Sequence, residues 1–258
     1  MARVNFNEIY SRFITQVYED DMESQNYYLS VIETQRHIPV SYLIERGCAF
    51  IPNNDYIRHF LGDDVNHFGL ELYNRDRCLW TLYVVIPITD LTGDIVGLVG
   101  WDVLHKYQEQ TEGRTDLSMY KVSSKNVFKK EHFFLSDVQV LRKTFDSRVI
   151  FITDGVFDSI ALNYRGIPAI ALLGSTFSPE VLYFLHWYKR VYVCSDNDAA
   201  GVKLYNMLKR SLNGVYRVIQ NKTKDIEELL RTDGPDGPIT QQLRSIMKSG
   251  ISGDVILR

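Results

Sequence analysis

Cysteine is scarce: the chain has 3 in 258 residues, Cys48, Cys78 and Cys194, and they stand far apart. There is no Cys-x-x-Cys pair and no Cys/His cluster at zinc-ligand spacing, so no zinc site is expected and the thiols read as free and partly buried. Long apolar runs are missing too. None approaches the roughly 18 residues that span a bilayer, so no membrane partner is expected. The stretch Met1–Asp21 mixes polar and acidic side chains and lacks the pattern of a signal or transit peptide. A cytoplasmic location follows, or the host cytoplasm for a viral gene. An excess of basic charge is also absent, since the formal net charge is −3. Residues 1–147 carry 15 Lys and Arg against 21 Asp and Glu, which leaves 14 against 11 for the remainder. Affinity for nucleic acid rests on basic side chains that displace counterions. Any such patch must therefore be local, and Lys121, Lys125, Lys129 and Lys130 form the best candidate.

What remains is an ordinary globular composition, 45% hydrophobic and 24% charged, without internal repeats. Its length suits one large domain or two small ones. Ile9, Phe13 and Val17 recur at helical spacing, and Tyr28 to Ile32 continues an apolar face. A turn at His37 to Val40 leads to a short helix, Ser41 to Arg46, that Gly47 stops. Cys78 to Pro87 and Ile95 to Trp101 read as strands joined at Asp90-Leu91-Thr92-Gly93, a β-hairpin. The chain from His105 to Thr115 reads as a polar loop. From Val149 the rhythm changes. Strands are expected at Val149–Thr153, Ala169–Leu173, Val191–Ser195 and Val215–Ile219, with helices from Val156, Ser178, Ala199 and Asp225. Four strand–helix units in succession predict a parallel sheet covered by helices. The expected organisation is an α/β protein: an N-terminal α+β lobe (1–147), a Rossmann-like parallel-sheet domain (148–231), and a linker with a short helix, Ile239 to Lys248 (232–258).

Open parallel sheets bind ligands at the carboxyl ends of their strands. Asp154 follows the first strand of the second domain, with Asp158 one turn on. Asp196 and Asp198 follow the third strand, and Asp225 and Glu227 follow the fourth. Six acidic side chains at one sheet edge repel each other unless protonated or neutralised by a cation. Hard oxygen ligands favour Mg2+ or Mn2+, a setting for phosphoryl-transfer chemistry. The plainer alternative is that Asp and Asn after strands are turn residues or helix N-caps. His132 and His186 have no ligand-spaced partners and read as structural. Of the 16 tyrosines, Tyr10, Tyr27, Tyr28, Tyr83, Tyr107 and Tyr120 are candidates for base stacking, but core packing is the better reading for most.

Several segments match a known family. Thr153-Asp154-Gly155-Val156-Phe157-Asp158-Ser159-Ile160-Ala161 resembles the first motif of the topoisomerase–primase (Toprim) domain. Ala169 through Ser175 is similar to its A-x-x-G-T/S segment. Val193-Cys194-Ser195-Asp196-Asn197-Asp198-Ala199-Ala200-Gly201 resembles its D-x-D-x-A-G motif. Asn221 through Leu230, with Lys224-Asp225-Ile226-Glu227, resembles the G-K-D-P-D-x-L segment of bacterial-type, DnaG-like primases. Upstream, Ile86 through Gly97 is similar to the primase hairpin motif. Tyr120 through Lys130 is similar to a worn form of its K-Y-L-N-S segment, and Tyr42 to Gly47 to Y-L-x-x-R-G.

The resemblance implies a two-lobed core that makes RNA primers on single-stranded DNA from ribonucleotides. Carried over by motif, Asp154, Asp196 and Asp198 take catalytic places. Asp154, Asp158, Asp196, Asp198, Asp225 and Glu227 take the places that hold two Mg2+ or Mn2+ ions. Lys130 takes the place of a basic residue that approaches the nucleotide or template, and it lies in the basic patch with Lys121, Lys125 and Lys129. Three positions depart from the pattern: Asp154 replaces a Glu, and Trp101 and Met119 replace basic residues. The family's zinc-binding and helicase-binding modules have no counterpart in the sequence. The pattern resembles a stripped core of the kind a bacteriophage encodes, expected to work with a replicative helicase and a separate zinc-bearing subunit. A Toprim nuclease and a catalytically degenerate scaffold are the alternatives.

Overall fold

The structure, a computed structural model, describes residues 6–52, 54–61, 73–74, 77–78, 83–89, 93–103, 112, 122–123, 138–173, 177, 179–220, 223, 225–249 and 251–257. The chain divides into two compact units, Met1–Val127 and Phe128–Arg258.

The first unit contains α1 (Phe6–Asp20), α2 (Met22–Arg36), α3 (Val40–Glu45), β1 (Ala49–Ile51), α4 (Asn54–Leu61), β2 (Tyr73–Asn74), β3 (Arg77–Cys78), β4 (Tyr83–Thr89), β5 (Ile95–Asp102) and β6 (Val122–Ser123). An antiparallel sheet runs in the order β1-β4-β5-β6, and β2 pairs with β3 apart from it. The buried face of α1 is Tyr10, Phe13 and Val17, a helical spacing that follows from 3.6 residues per turn. Asp21 breaks α1 from α2 by accepting the Ser24 N–H at 3.1 Å as the α2 N-cap. Gly47, at φ 73°, ends α3 in the left-handed region that favours glycine. The buried Gln25 amide holds β1 from both sides, donating to Phe50 O at 2.8 Å and accepting from Phe50 N at 2.7 Å.

The expected hairpin is present as β4 and β5, with Tyr83 opposite Asp102 and Thr89 opposite Ile95. Its first strand starts at Tyr83 rather than Cys78; Cys78 lies in the separate β2–β3 pair. Trp101 is 4% exposed with the Arg36 guanidinium 5.4 Å from its ring centroid. Helix α2 therefore places a cation over the Trp101 ring. Among the tyrosines, Tyr10 and Tyr83 are buried and Tyr28 stacks on Phe50 at 3.7 Å, while Tyr27 is exposed. Tyr107 and Tyr120 lie outside the described residues, as does His132.

The second unit contains α5 (Val138–Thr144), a 3-10 turn (Phe145–Ser147), β7 (Val149–Thr153), α6 (Val156–Tyr164), β8 (Ala169–Ala171), α7 (Pro179–Leu185), β9 (Arg190–Val193), α8 (Ala199–Ser211), β10 (Val215–Gln220), α9 (Ile226–Asp233), α10 (Pro238–Ser249) and β11 (Val255–Leu257). Its five strands run in the order β11-β10-β9-β7-β8 with every pair parallel. Every residue of β7 is buried, which is why that strand reads as an unbroken apolar run rather than an alternating one. On one face, Ile150, Ile152, Val191 and Val193 pack with Val181, Leu185, Leu204 and Leu208 from α7 and α8.

Two features differ from the sequence reading. Leu141 of α5 joins the core of the parallel sheet, so α5 packs with the second unit although it precedes the expected boundary at 147/148. The tail, expected to hold a linker and a short helix, also supplies β11, which pairs Val218 with Val255 and Gln220 with Leu257. A three-residue strand is too short to show a period, and its hydrogen bonds come from a strand 35 or more positions earlier.

Candidate functional site

The carboxyl ends of β7, β9 and β10 carry the acidic residues. β7 runs straight into Asp154-Gly155, where the Thr153 hydroxyl donates to Gly155 O at 2.9 Å and shapes the turn. Gly155 is the N-cap of α6, and Asp158 sits in the first turn of that helix, 8% exposed. A Cβ on Gly155 would fall 2.1 Å from Asp158 Oδ2, so only glycine admits the carboxylate there. The other oxygen, Oδ1, accepts the Glu227 N–H at 3.2 Å. That bond ties the start of α6 to the start of α9.

After β9, Ser195 is buried and Asp196 half-buried. Asn197 donates to Gln220 O at 2.6 Å and Thr223 O at 3.4 Å, fastening this loop to the end of β10. Asp198 Oδ1 accepts the Gly201 N–H at 2.8 Å as the N-cap of α8. Asp225 Oδ1 accepts the Glu228 N–H at 2.8 Å as the N-cap of α9. The plainer reading of these two aspartates as caps is thus correct, and each carboxylate keeps further lone pairs for a cation. Glu227 is 3% exposed in the first turn of α9. Asp158, Asp198 and Asp225 all stand at helix N-termini, whose positive dipole end partly offsets their mutual repulsion.

The carboxylates raise one another's affinity for protons. Burial pushes the Asp158 carboxyl well above the usual range, and Asp225, Asp154 and Glu227 push it further, against the Glu227 N–H. Burial also raises Asp154, followed by Asp196 and, more weakly, Asp198, while the backbone N–H groups of Asp154 and Gly155 pull it down. Burial holds the neighbouring Cys194 as a thiol, with help from Asp158 and Asp154.

Among the described residues, no three His, Cys, Asp or Glu side chains are gathered closely enough to enclose a metal ion. The carboxylates form an acidic edge in which Asp158 and Glu227 are buried, Asp196 is half-buried and Asp198 is exposed. Two features of this edge bear on its fit to a cation. Asp158 occupies the space that a side chain on Gly155 would fill. The Ser195 hydroxyl is buried beside Asp196 without a hydrogen-bond partner among the described residues. Lys121, Lys125, Lys129 and Lys130, together with Met119, lie outside the described residues. Sequence reasoning missed Ser195, Asn197 and the buried Arg165; a serine or asparagine beside Asp196 has no periodic signal of its own.

Residues 151–230 match the Toprim-like family. The second unit therefore contains a Toprim-like domain, with a Rossmann-like parallel sheet. The whole chain has the fold of DnaG-type primase catalytic cores. It is similar to the RNA polymerase domain of Mycobacterium tuberculosis primase DnaG at 16% identity and TM-score 0.68, covering 94% of this chain and 83% of that one. The Aquifex aeolicus primase, with its zinc-binding and RNA polymerase domains, matches at 19% identity and TM-score 0.68, covering 96% of this chain and 62% of that one. A DnaG primase catalytic domain bound to single-stranded DNA matches at 17% identity and TM-score 0.65, covering 93% and 79%. No curated protein matches the chain in sequence. Among the described residues, no helix is long and apolar enough to cross a membrane.

Proposed function

We propose that the chain is the catalytic core of a DNA primase, a nucleotidyltransferase that makes short RNA primers on single-stranded DNA during replication. The observation that carries this reading is the acidic edge. Asp154, Asp158, Asp196, Asp198, Asp225 and Glu227 follow three strands of one parallel sheet, in a fold shared with primase cores. These six residues would hold two Mg2+ or Mn2+ ions, with Asp154, Asp196 and Asp198 nearest the chemistry. Bound divalent cations supply Lewis-acid stabilisation of the attacking hydroxyl and of the leaving phosphate. The chain's own residues do the positioning. The caps at Asp198 and Asp225 fix two carboxylates on helix ends, and the Asp158–Glu227 contact fixes a third. Burial and the neighbouring carboxylates shift Asp154 and Asp158 towards their protonated forms, and a bound cation would shift them back.

In this reading residues 1–127 form the N-terminal lobe, the Toprim domain starts with α5, ahead of the 147/148 boundary expected from the sequence, and β11 in the tail extends its sheet. Lys121, Lys125, Lys129 and Lys130 approach template and nucleotide in the cytoplasm or host cytoplasm. A replicative helicase and a zinc-bearing subunit are the proposed partners, since the similar Aquifex aeolicus primase carries a zinc-binding domain beside its RNA polymerase domain. Tethering to a helicase raises the effective template concentration, to about the millimolar range for short flexible links.

A scaffold without catalysis is the second reading, favoured by the capping roles of Asp198 and Asp225. Incubation with single-stranded DNA, labelled ribonucleotides and Mg2+ or Mn2+, with and without the cognate helicase, separates the possibilities. Primers that depend on the metal and increase with helicase support the proposal. Shortened DNA identifies a nuclease, and no product under any condition favours the scaffold.

A further inference from the structure

Arg165 follows the last residue of α6 and is 1% exposed, with its guanidinium turned inward. Nη1 donates to Ala161 O in its own helix at 2.9 Å, Nη2 to Leu230 O in α9 at 2.8 Å, and Nε to Gly234 O just beyond α9 at 3.4 Å. Among the described residues its hydrogen-bond partners are carbonyls, with no carboxylate at ion-pair distance. The backbone oxygen of Arg165 in turn accepts from Arg244 of α10, from Nε at 3.0 Å and Nη2 at 2.8 Å. Asp233, at the end of α9, accepts the Ile239 and Thr240 N–H groups at 2.9 and 2.8 Å and so caps the start of α10. Arg165 thus closes the end of α9, Asp233 of α9 caps the start of α10, and Arg244 of α10 closes back on Arg165.

A buried charge is a poor source of net stability, since an apolar side chain of similar volume often serves as well. What the guanidinium adds is geometry: a planar fork of donors that fits the carbonyls of two helices in one arrangement only. Helices α6 and α9 are joined at one end by Arg165 and at the other by the 3.2 Å bond from Glu227 N–H to Asp158 Oδ1. Between these two fastenings α9 has a set position, and α9 carries Asp225 and Glu227 at its start. We propose that Arg165 is a positioning residue that holds α9 against α6 and thereby sets the third pair of carboxylates relative to Asp158. Its consequence for cation binding rests on the metal-site reading above.

Two readouts on the full chain test this. Amide hydrogen exchange of the metal-free protein reports on α9 directly, and Mn2+ binding followed by electron paramagnetic resonance reports on the acidic edge. Arg165→Met is expected to speed exchange of the α9 amides on the order of tenfold, while β7 and α8 stay protected. Mn2+ affinity is expected to fall on the order of 10- to 100-fold, the range for groups that orient ligands. Leu185→Ala, a core truncation away from the knot, serves as the control and should leave Mn2+ affinity unchanged. Arg165→Lys has a single ammonium that cannot span both helices' carbonyls, and it should loosen α9 to a smaller extent. It also carries the comparison if Arg165→Met does not fold. Wild-type exchange of α9 in the variants overturns the proposal, as does an equal loss of Mn2+ affinity in Leu185→Ala. A wild-type protein that binds no Mn2+ overturns the metal reading instead, and the exchange data then decide the role of Arg165 alone.

Discussion

Replacing Gly155 with alanine moves one carboxylate and removes none. The glycine has φ −96° and ψ 142°, a region that any residue adopts, so the backbone carries no strain penalty. The cost is steric and local. The new Cβ would lie 2.1 Å from Asp158 Oδ2, where contacts under 3.0 Å essentially never occur, so the carboxylate must retreat by about 0.9 Å. Asp158 also accepts the Glu227 N–H, and its retreat weakens that bond. For the whole protein the terms nearly offset. Overpacking costs about 1–3 kcal/mol, and the stiffer unfolded chain returns about 0.4–1 kcal/mol. A net loss of about 1 kcal/mol lowers Tm by roughly 2–4 °C for a chain of this size. Catalysis is far more sensitive, since a displacement of about 1 Å costs on the order of 100-fold in rate. Primer synthesis measured beside thermal unfolding should show that large loss in a protein that is still folded. A folded Gly155→Ala variant with wild-type rate would refute the placement of Asp158 in the site.

Gly201→Ala should be harsher on the fold, because its Cβ would meet the backbone oxygen of Asp196 at 2.1 Å, which cannot rotate away as a side chain can; a variant melting with the wild type counts against the close approach. The raised Asp158 carboxyl binds its proton more tightly folded than unfolded, where the value is about 3.9. The metal-free protein therefore loses stability as pH rises above about 4 through the native value. Asp158→Asn removes this loss, so its Tm advantage should be absent near pH 4 and grow towards neutrality in chelator; a pH-independent difference contradicts the buried-charge account. The double variant Asp196→Ala/Asp198→Ala should abolish primer synthesis while its circular dichroism stays native, with about 1 kcal/mol lost from the α8 cap; near wild-type activity rules out a role in the chemistry. Lys129→Ala/Lys130→Ala should weaken binding to single-stranded DNA and reduce the slope of log K against log salt by about 0.7 per lost contact; an unchanged slope means that DNA runs elsewhere.

The parts legible in the sequence are those with a period or a fixed place in a unit. Val149–Thr153 and Val215–Gln220 announce themselves as short apolar or β-branched runs. The acidic residues are found by reading past each strand end, because a parallel sheet exposes that edge by construction. The division of labour among the carboxylates was not legible. Asp198 and Asp225 as caps, and Asp158 and Glu227 as the buried members, depend on where three helices start relative to one another.

By itself, then, the sequence determines the strand–helix order, the parallel sheet it implies, and which residue types line its carboxyl edge, since these follow from local periodicity and chain direction. Only the tertiary structure decides that α5 and β11 join that sheet, that a glycine must stand over Asp158, and that Arg165 is buried among the carbonyls of α6 and α9. Each of those depends on contacts between residues far apart in the chain. A lone arginine before a glycine looks the same in a sequence whether its guanidinium ends in water or in a knot of three helices.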